Sequence, residues 1–202
     1  MDNKKQNRNS IRTKRMIREA FLKLLDEKNY EKITVTDITK RADINRTTFY
    51  NHYPDVYGIV EDIQNDIIQK NMKMIHQLEY RNILQNPMPY LESLSSTLEE
   101  NMQLFRRMGH TPQLHQYLDR YRQLMAEDII NDPSIPNIAR SSCFFYIHIH
   151  FFLGGIMNTY QQWTTDNINC SLNEINLEIS NIIKNTGKEF FEKNWLNKDD
   201  NM

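Results

Sequence analysis

Apolar residues return every three or four positions along this chain and seldom alternate singly with polar ones, so the pattern predicts helices throughout. From Ile11 to about Lys28, the residues Ile17, Ala20, Phe21, Leu24 and Leu25 make one apolar stripe; the polar residues 1–10 ahead of it are expected to be a flexible basic tail. Two short helices follow. Thr34 stands before VTDI as an N-cap, and Asp37 three positions on can close a capping box, so the first short helix starts near Val35. Asn45 repeats the device ahead of RTTFY, while Ala42, Asp43 and Ile44 supply a small residue, a turn residue and an apolar plug between the two. Ile38, Ala42, Ile44, Phe49 and Tyr53 are expected to point inwards, which leaves Arg46, Thr47 and Tyr50 on the opposite face.

Pro54 and Asp55 then break the chain, and Asp55 can cap a helix running through Val60, Ile63, Ile67 and Ile68 towards Leu84. After Pro87 and Pro89 a single helix is expected through Leu91, Leu94, Leu98, Met102 and Phe105, ended by Gly109 to Pro112. Thr111 and Pro112 open the next, through Leu114, Leu118, Tyr121, Leu124 and Met125 to near Asp132. Beyond DPSIPN, one helix from about Asn137 to Trp163 carries the stripe Ile138, Phe145, Ile149, Phe152, Ile156 and Trp163, thickened by Phe144, His148 and Phe151. A helix this apolar must be covered on more than one side. A last helix is expected from about Leu172 to Trp195. Gly154 and Gly155 permit close backbone approach, so these two helices suit a four-helix interface with a second copy, placing Phe151, Gly154, Gly155, Ile175, Ile179, Ile182 and Phe190 there. The fold class is all-α, with a three-helix helix-turn-helix domain at 11–54 and a helical domain at 55–202.

Composition narrows the function classes. Cys143 and Cys170 lie far apart and offer neither a disulfide framework nor a zinc spacing, so a reducing cytoplasm is expected. The most apolar stretch, Cys143 to Met157, is too short to span a bilayer and carries His148 and His150. Those two histidines point apart on a helix, and His110 and His115 flank a helix start, so no metal is expected. No GxSxG, HExxH, CxxC or Gly-rich phosphate loop occurs, and the adjacent Glu99 and Glu100 diverge; neither an enzyme nor a cofactor is indicated. Charge is unevenly placed. Through Pro54 thirteen lysines and arginines face seven acids, an excess of six, so a chain of net −1 carries −7 beyond that point. A basic head on an acidic body is the electrostatic footprint of a protein that presents one end to nucleic acid, and Lys4, Lys5 and Arg8 could extend it into a minor groove. On the exposed face Arg46 can donate to guanine and Thr47 can touch a thymine methyl, while Tyr50 and His52 can hold phosphates.

The run ITVTDITKRADINRTTFYNHY (Ile33 to Tyr53), following an amphipathic helix, resembles the N-terminal domain of the TetR/AcrR family of bacterial transcriptional regulators. The resemblance covers roughly residues 11 to 60; beyond them FFLGGIMNTYQQW (Phe151 to Trp163) resembles the ligand-binding and dimerisation half of some members. It implies that Arg46 and Thr47 read base edges and that Thr48, Tyr50 and His52 meet phosphates; with the capping residues, the DNA-facing set is Thr34, Asn45, Arg46, Thr47, Thr48, Tyr50 and His52. Two departures stand out: Asp43 where the turn often has Gly, and Val56 where a Lys commonly opens the fourth helix. The resemblance further implies a homodimer on a near-palindromic operator, usually a repressor, released by a small-molecule effector. The aromatic and methionine-rich faces place an effector pocket at Met102, Phe105, Met108, Tyr117, Tyr121, Phe145, His148 and Phe152. The alternative is a partner-binding adaptor or an activator on the same fold, not governed by a small molecule.

Overall fold

The computed structural model describes residues 2–78, 80–109 and 111–191, and among them every regular element is helical. Helix α1 (Asp2–Glu27) begins at Asp2, ahead of the expected Ile11. DNKKQNRNS holds neither Gly nor Pro, so once the apolar stripe has formed the helix, each added residue gains a hydrogen bond for one residue ordered. That stripe is buried as expected, with Ile17, Phe21 and Leu25 fully enclosed. A 3-10 turn at Tyr30–Lys32 leads into α2 (Val35–Ala42).

Local chemistry then sets the helix-turn-helix. The Thr34 hydroxyl accepts from the Asp37 amide at 3.2 Å and the Asp37 carboxylate accepts from the Thr34 amide at 2.9 Å, closing the capping box. Asp43 ends α2 at φ 52, ψ 49, and the Ile44 amide returns to the Thr39 carbonyl at 3.1 Å, a Schellman closure. An aspartate there accepts a left-handed backbone at a cost of about 1 kcal/mol. Helix α3 (Arg46–Tyr50) is capped by Asn45, whose Oδ1 accepts from the Thr48 amide at 2.7 Å. Ile38, Ala42, Phe49 and Tyr53 are buried and Ile44 is half-buried.

Asp55 caps α4 (Val56–Leu78) through the Gly58 amide at 2.9 Å. A Cβ on Gly58 would stand 2.9 Å from the Pro54 ring, so glycine is what lets this turn close. With α5 (Tyr80–Gln85), α4 covers the helix expected towards Leu84, residue 79 lying outside the described residues. Two expected helices are divided. The one through Leu91 and Phe105 becomes α6 (Met88–Glu100) and α7 (Met102–Met108), parted at Asn101, whose side-chain amide donates to the Thr97 carbonyl at 2.9 Å and competes with the ladder. After α8 (Pro112–Asn131), which starts at the Thr111 cap as expected, the helix expected from Asn137 to Trp163 becomes α9 (Asn137–Arg140) and α10 (Cys143–Thr164). There the Ser141 hydroxyl donates to the Ile138 carbonyl at 3.0 Å and Arg140 to the Asp132 carbonyl at 2.5 Å, so α9 is held to the preceding loop and Ile138 leaves the stripe for solvent. Helix α11 (Leu172–Phe191) carries a capping box the pattern missed: Ser171 and Glu174 bond each other's amides at 3.3 and 2.8 Å. Its expected end at Trp195 lies outside the described residues.

Helix α1 packs on α2, α4 and α7; α4 also meets α6 and α8; α10 lies on α8 and α7, and α11 on α6 and α5. Buried side chains form one cluster from Ile17 to Ile183, crossing the expected boundary at residue 54. At the crossing Arg18 binds Asp62 at 2.6 Å and Asp66 at 2.5 Å, and the Tyr53 hydroxyl donates to Asp62 at 2.5 Å. Further along α1, the Gln103 amide of α7 donates to the Asp26 carboxylate at 2.5 Å and Arg107 to the Asp26 carbonyl at 3.3 Å.

Lys28 and then Thr34 hold the Asp37 carboxyl well below its usual range. Burial opposes the same shift at Asp62, but hydrogen bonds from Tyr53 and Arg18 outweigh it. Because folded pKa values are lowered at both sites, their stabilisation is present above the unfolded value of about 3.9 and is lost as pH falls through the folded values. Urea unfolding followed from pH 7 to 3 should show the midpoint falling in the acid range. The Asp37→Asn variant should start lower at pH 7 and fall less steeply.

Candidate nucleic-acid interface

The expected recognition face is assembled on the shortest helix of the head. Arg46, Thr47 and Tyr50 are exposed side by side on α3, Tyr50 to 55%, while Phe49 between them is fully buried. Tyr50 stands edge-on to the Phe49 ring at 5.5 Å, so the buried ring props up the exposed one. Arg46 does not hang free: its Nη2 donates to the Thr36 hydroxyl at 2.7 Å, a brace from the start of α2 that the sequence pattern did not single out. Thr48 and His52 are half-buried at the rim. Thr34 and Asn45 differ from the rest, since their side-chain oxygens are spent on capping α2 and α3.

Surrounding cations are divided in use. Arg41 meets Glu27 through both guanidinium nitrogens at 2.6 Å each, and Lys28 meets Asp37 at 2.6 Å, so α1 and α2 are pinned together. Lys14 and Arg18 face Asp62 on α4. Arg12, Lys23, Lys32, Lys40 and Arg46 remain exposed. Arg8 is exposed on α1, whereas the side chains of Lys4 and Lys5 lie outside the described residues.

In the body, six of the eight residues expected to line one pocket are divided between two cavities. Phe105, Tyr117 and Tyr121 line the first, of about 40 Å³, together with Ile67, Asn71, Thr97 and Tyr160. Phe145, His148 and Phe152 line the second, of about 80 Å³, with Tyr80, Tyr90, Ile149 and Ile183. Met102 and Met108 line neither: Met108 is packed into the core and Met102 follows the Asn101 break, so both are corrections to the expected pocket. Tyr90, absent from the expected set, and Tyr121 each carry a buried hydroxyl, and the two act on each other. Burial pushes the ionisation of both upwards. A sequence offers no marker for such a pair, because their meeting depends on how distant helices pack. His115 lines a shallow cleft with Gly154 and Gln161, and His110 lies outside the described residues. Among the described residues, no His, Cys, Asp and Glu converge in a group able to hold a metal, and no helix is long and apolar enough to cross a membrane.

Of the expected interface residues, Phe151 is 70% exposed and shares a stripe on α10 with Phe144 and Ile147, at 61% and 60%. Gly155 faces open space, and a Cβ on Gly154 would have Arg122 as its nearest neighbour at 3.9 Å. Ile182 is exposed on α11, together with Leu177. Ile175 and Ile179 are buried inside their own chain where α11 meets α6 and α5, which removes them from any outer face. The side chain of Phe190 lies outside the described residues.

Residues 17–63 match the model of the bacterial regulatory proteins of the tetR family. The chain is similar to the HTH-type transcriptional regulator YxbF of Bacillus subtilis (strain 168), at 30% identity over 118 residues, 58% of this chain. That match spans only 29% of the relative's length. In three dimensions the chain is similar to a TetR-family transcriptional regulator from Syntrophomonas wolfei, with a TM-score of 0.66 at 15% identity, covering 86% of this chain and 93% of that one. A TetR regulator from Streptococcus agalactiae 2603V follows at 0.60 and 20%, covering 88% and 97%. The dihydroxyacetone kinase operon activator DhaS follows at 0.57 and 18%, covering 86% and 94%. At such identities the likeness of the solved structures is one of fold.

Capping and exposed positions on α3 should separate in stability measurements. Asn45→Ala is expected to lower the unfolding free energy by about 1 kcal/mol. Thr47→Ala should stay within about 0.5 kcal/mol of the parent, as an exposed position does. Chemical denaturation of the two variants checks the difference.

Proposed function

The N-terminal domain makes this chain a member of the tetR family of bacterial regulatory proteins, and from that premise we propose a DNA-binding repressor that occupies a near-palindromic operator as a homodimer and is released by a small-molecule effector. The observation that carries this reading is the exposed Arg46, Thr47 and Tyr50 face on a capped helix anchored by Phe49. Arg46, braced by Thr36, is set to donate to guanine, and Thr47 to meet a thymine methyl. Tyr50, His52 and Thr48 serve the phosphates that fix register. Two such heads on a two-fold axis read a site with the same symmetry.

The dimer is proposed to form on the α10 stripe of Phe144, Ile147 and Phe151 beside open Gly155, with Ile182 of α11. Release is proposed to run through the body. A ligand pressing on Phe105 moves α7, whose Gln103 and Arg107 grip Asp26 at the end of α1. A ligand favouring a head spacing that misfits the operator lowers DNA affinity by the ratio of its affinities for the two states. A second reading, a partner-binding adaptor or an activator on the same fold, rests on Val56, which removes one phosphate contact expected at the fourth helix.

Binding to selected duplexes, titrated with salt, tests the proposal: the log-log slope should be about −0.9 for each phosphate neutralised. A slope near zero would favour the adaptor. Arg46→Ala should cost about 1–3 kcal/mol on the best site and relax preference at particular base pairs, whereas Tyr50→Phe should weaken all duplexes by a similar factor. Selection of sites from a random pool by each variant reads both outcomes. Sedimentation should find the parent a dimer at micromolar concentration and Phe151→Glu a folded monomer with reduced operator affinity.

A further inference from the structure

The arginines of the head are held in different ways. Arg18 is bound by the carboxylates of Asp62 and Asp66, and Arg41 by both oxygens of Glu27, so their charge is spent inside the fold. Arg46 is held by a neutral group. Its Nη2 donates to the Thr36 hydroxyl at 2.7 Å, and among the described residues no carboxylate pairs with it. A hydroxyl orients a guanidinium without neutralising it, so the charge at α3 is kept for DNA while the long side chain is fixed.

Both ends of this brace stand on rigid backbone. Thr36 lies in the first turn of α2, closed by the Thr34 and Asp37 capping box and held from α1 by Lys28 at 2.6 Å from Asp37. Its carbonyl accepts from the hydroxyl of buried Thr39 at 3.1 Å. Arg46 opens α3 directly after the Asn45 cap, three residues before buried Phe49. Thr36 and Arg46 are both exposed, and among the described residues no other side-chain hydrogen bond joins α2 to α3. The freedom left at this place is rotation of the Arg46 chain, whose loss on binding opposes affinity. One Nη2 proton given to Thr36 removes part of that freedom in advance and still leaves one two-pronged edge of the guanidinium whole, which is what the O6 and N7 of a guanine require.

We propose that Thr36 is a positioning residue for base reading: its hydroxyl sets the Arg46 guanidinium, so that specificity at one base pair depends on a side chain of α2 acting through α3. The inference rests on the reading of Arg46 as a base-contacting residue and adds what makes that contact selective.

The probes are the site that the parent selects from a random duplex pool and copies of it changed at one base pair at a time, titrated with the full-length protein. Thr36→Val keeps the branched shape and loses the hydroxyl. The ratio of affinities between the selected site and the copy changed at the base pair that Arg46→Ala ceases to read should fall by about three- to tenfold. Thr36→Ser, which restores the hydroxyl, should recover most of that ratio. In the Arg46→Ala background Thr36→Val should change the ratio by less than about twofold, because a residue that acts through another has nothing left to position. Helical circular dichroism and the urea midpoint should match the parent, as expected at an exposed position, and Thr36→Ala repeats the measurement should valine disturb the first turn of α2.

The proposal is overturned if the hydroxyl-free variants discriminate like the parent, or if they bind more tightly with the same preferences, which would make the brace a restraint that DNA has to break. It is also overturned if their effect persists in the Arg46→Ala background or falls on a different base pair, which would assign Thr36 a direct DNA contact. A parent that selects no duplex refutes the DNA-binding reading and this inference with it, whereas a parent whose selected site is read equally well without the Thr36 hydroxyl refutes the inference by itself.

Discussion

The burial of Phe49 is the interaction on which the head depends. Helix α3 has only five residues, and isolated helices below about 12–15 residues are marginal in water, so α3 cannot hold its own shape. It is held from three sides: Phe49 enters the core with Tyr53 beside it at 6.1 Å, Asn45 satisfies the Thr48 amide, and the left-handed Asp43 turns Ile44 inwards. The exposed arrangement of Arg46, Thr47 and Tyr50 follows from that anchoring. Their direction in space is the direction in which Phe49 is not free to turn.

The same core continues into the body through α4, which explains why one helix can serve two neighbours. Its Ile59, Val60 and Ile63 are buried near the head, and Ile67 lines the first body cavity. Asp62 and Asp66 take up Arg18 of α1, and Tyr53 donates to Asp62 from the end of the helix-turn-helix. Carboxylates that receive several charge-assisted hydrogen bonds make a directional joint rather than a greasy one. Asp26 makes a second joint between α1 and α7, so the head is tied to the body at two places along one helix. In the proposed mechanism these ties convert a change in cavity shape into a change in head position.

Electrostatics follow the packing more than the count of charges. The excess of six positive charges through Pro54 is partly matched by Asp62 and Asp66 from beyond that point, and Lys28 and Arg41 are occupied in holding α1 to α2. The field available to a phosphate backbone therefore comes from fewer side chains, among them Arg12, Lys23, Lys32, Lys40 and Arg46.

The sequence by itself determined what depends on neighbours within one or two helical turns. The Thr34 and Asn45 caps, the turn at Asp43, the start of α8 at Thr111 and the inward set Ile38, Ala42, Phe49 and Tyr53 could all be read from residue types and spacing, because each is settled by contacts a few positions away. The breaks at Asn101 and Ser141 rest on equally local side-chain hydrogen bonds, but the apolar spacing runs on through both and masks them. Tertiary structure alone divided the aromatic residues between two cavities, brought the buried Tyr90 and Tyr121 hydroxyls together, and turned Ile175 and Ile179 inwards against α6 and α5. A cavity is space that distant helices leave unfilled, and periodicity along one helix shows only which residues prefer to leave water, not which neighbour will receive them.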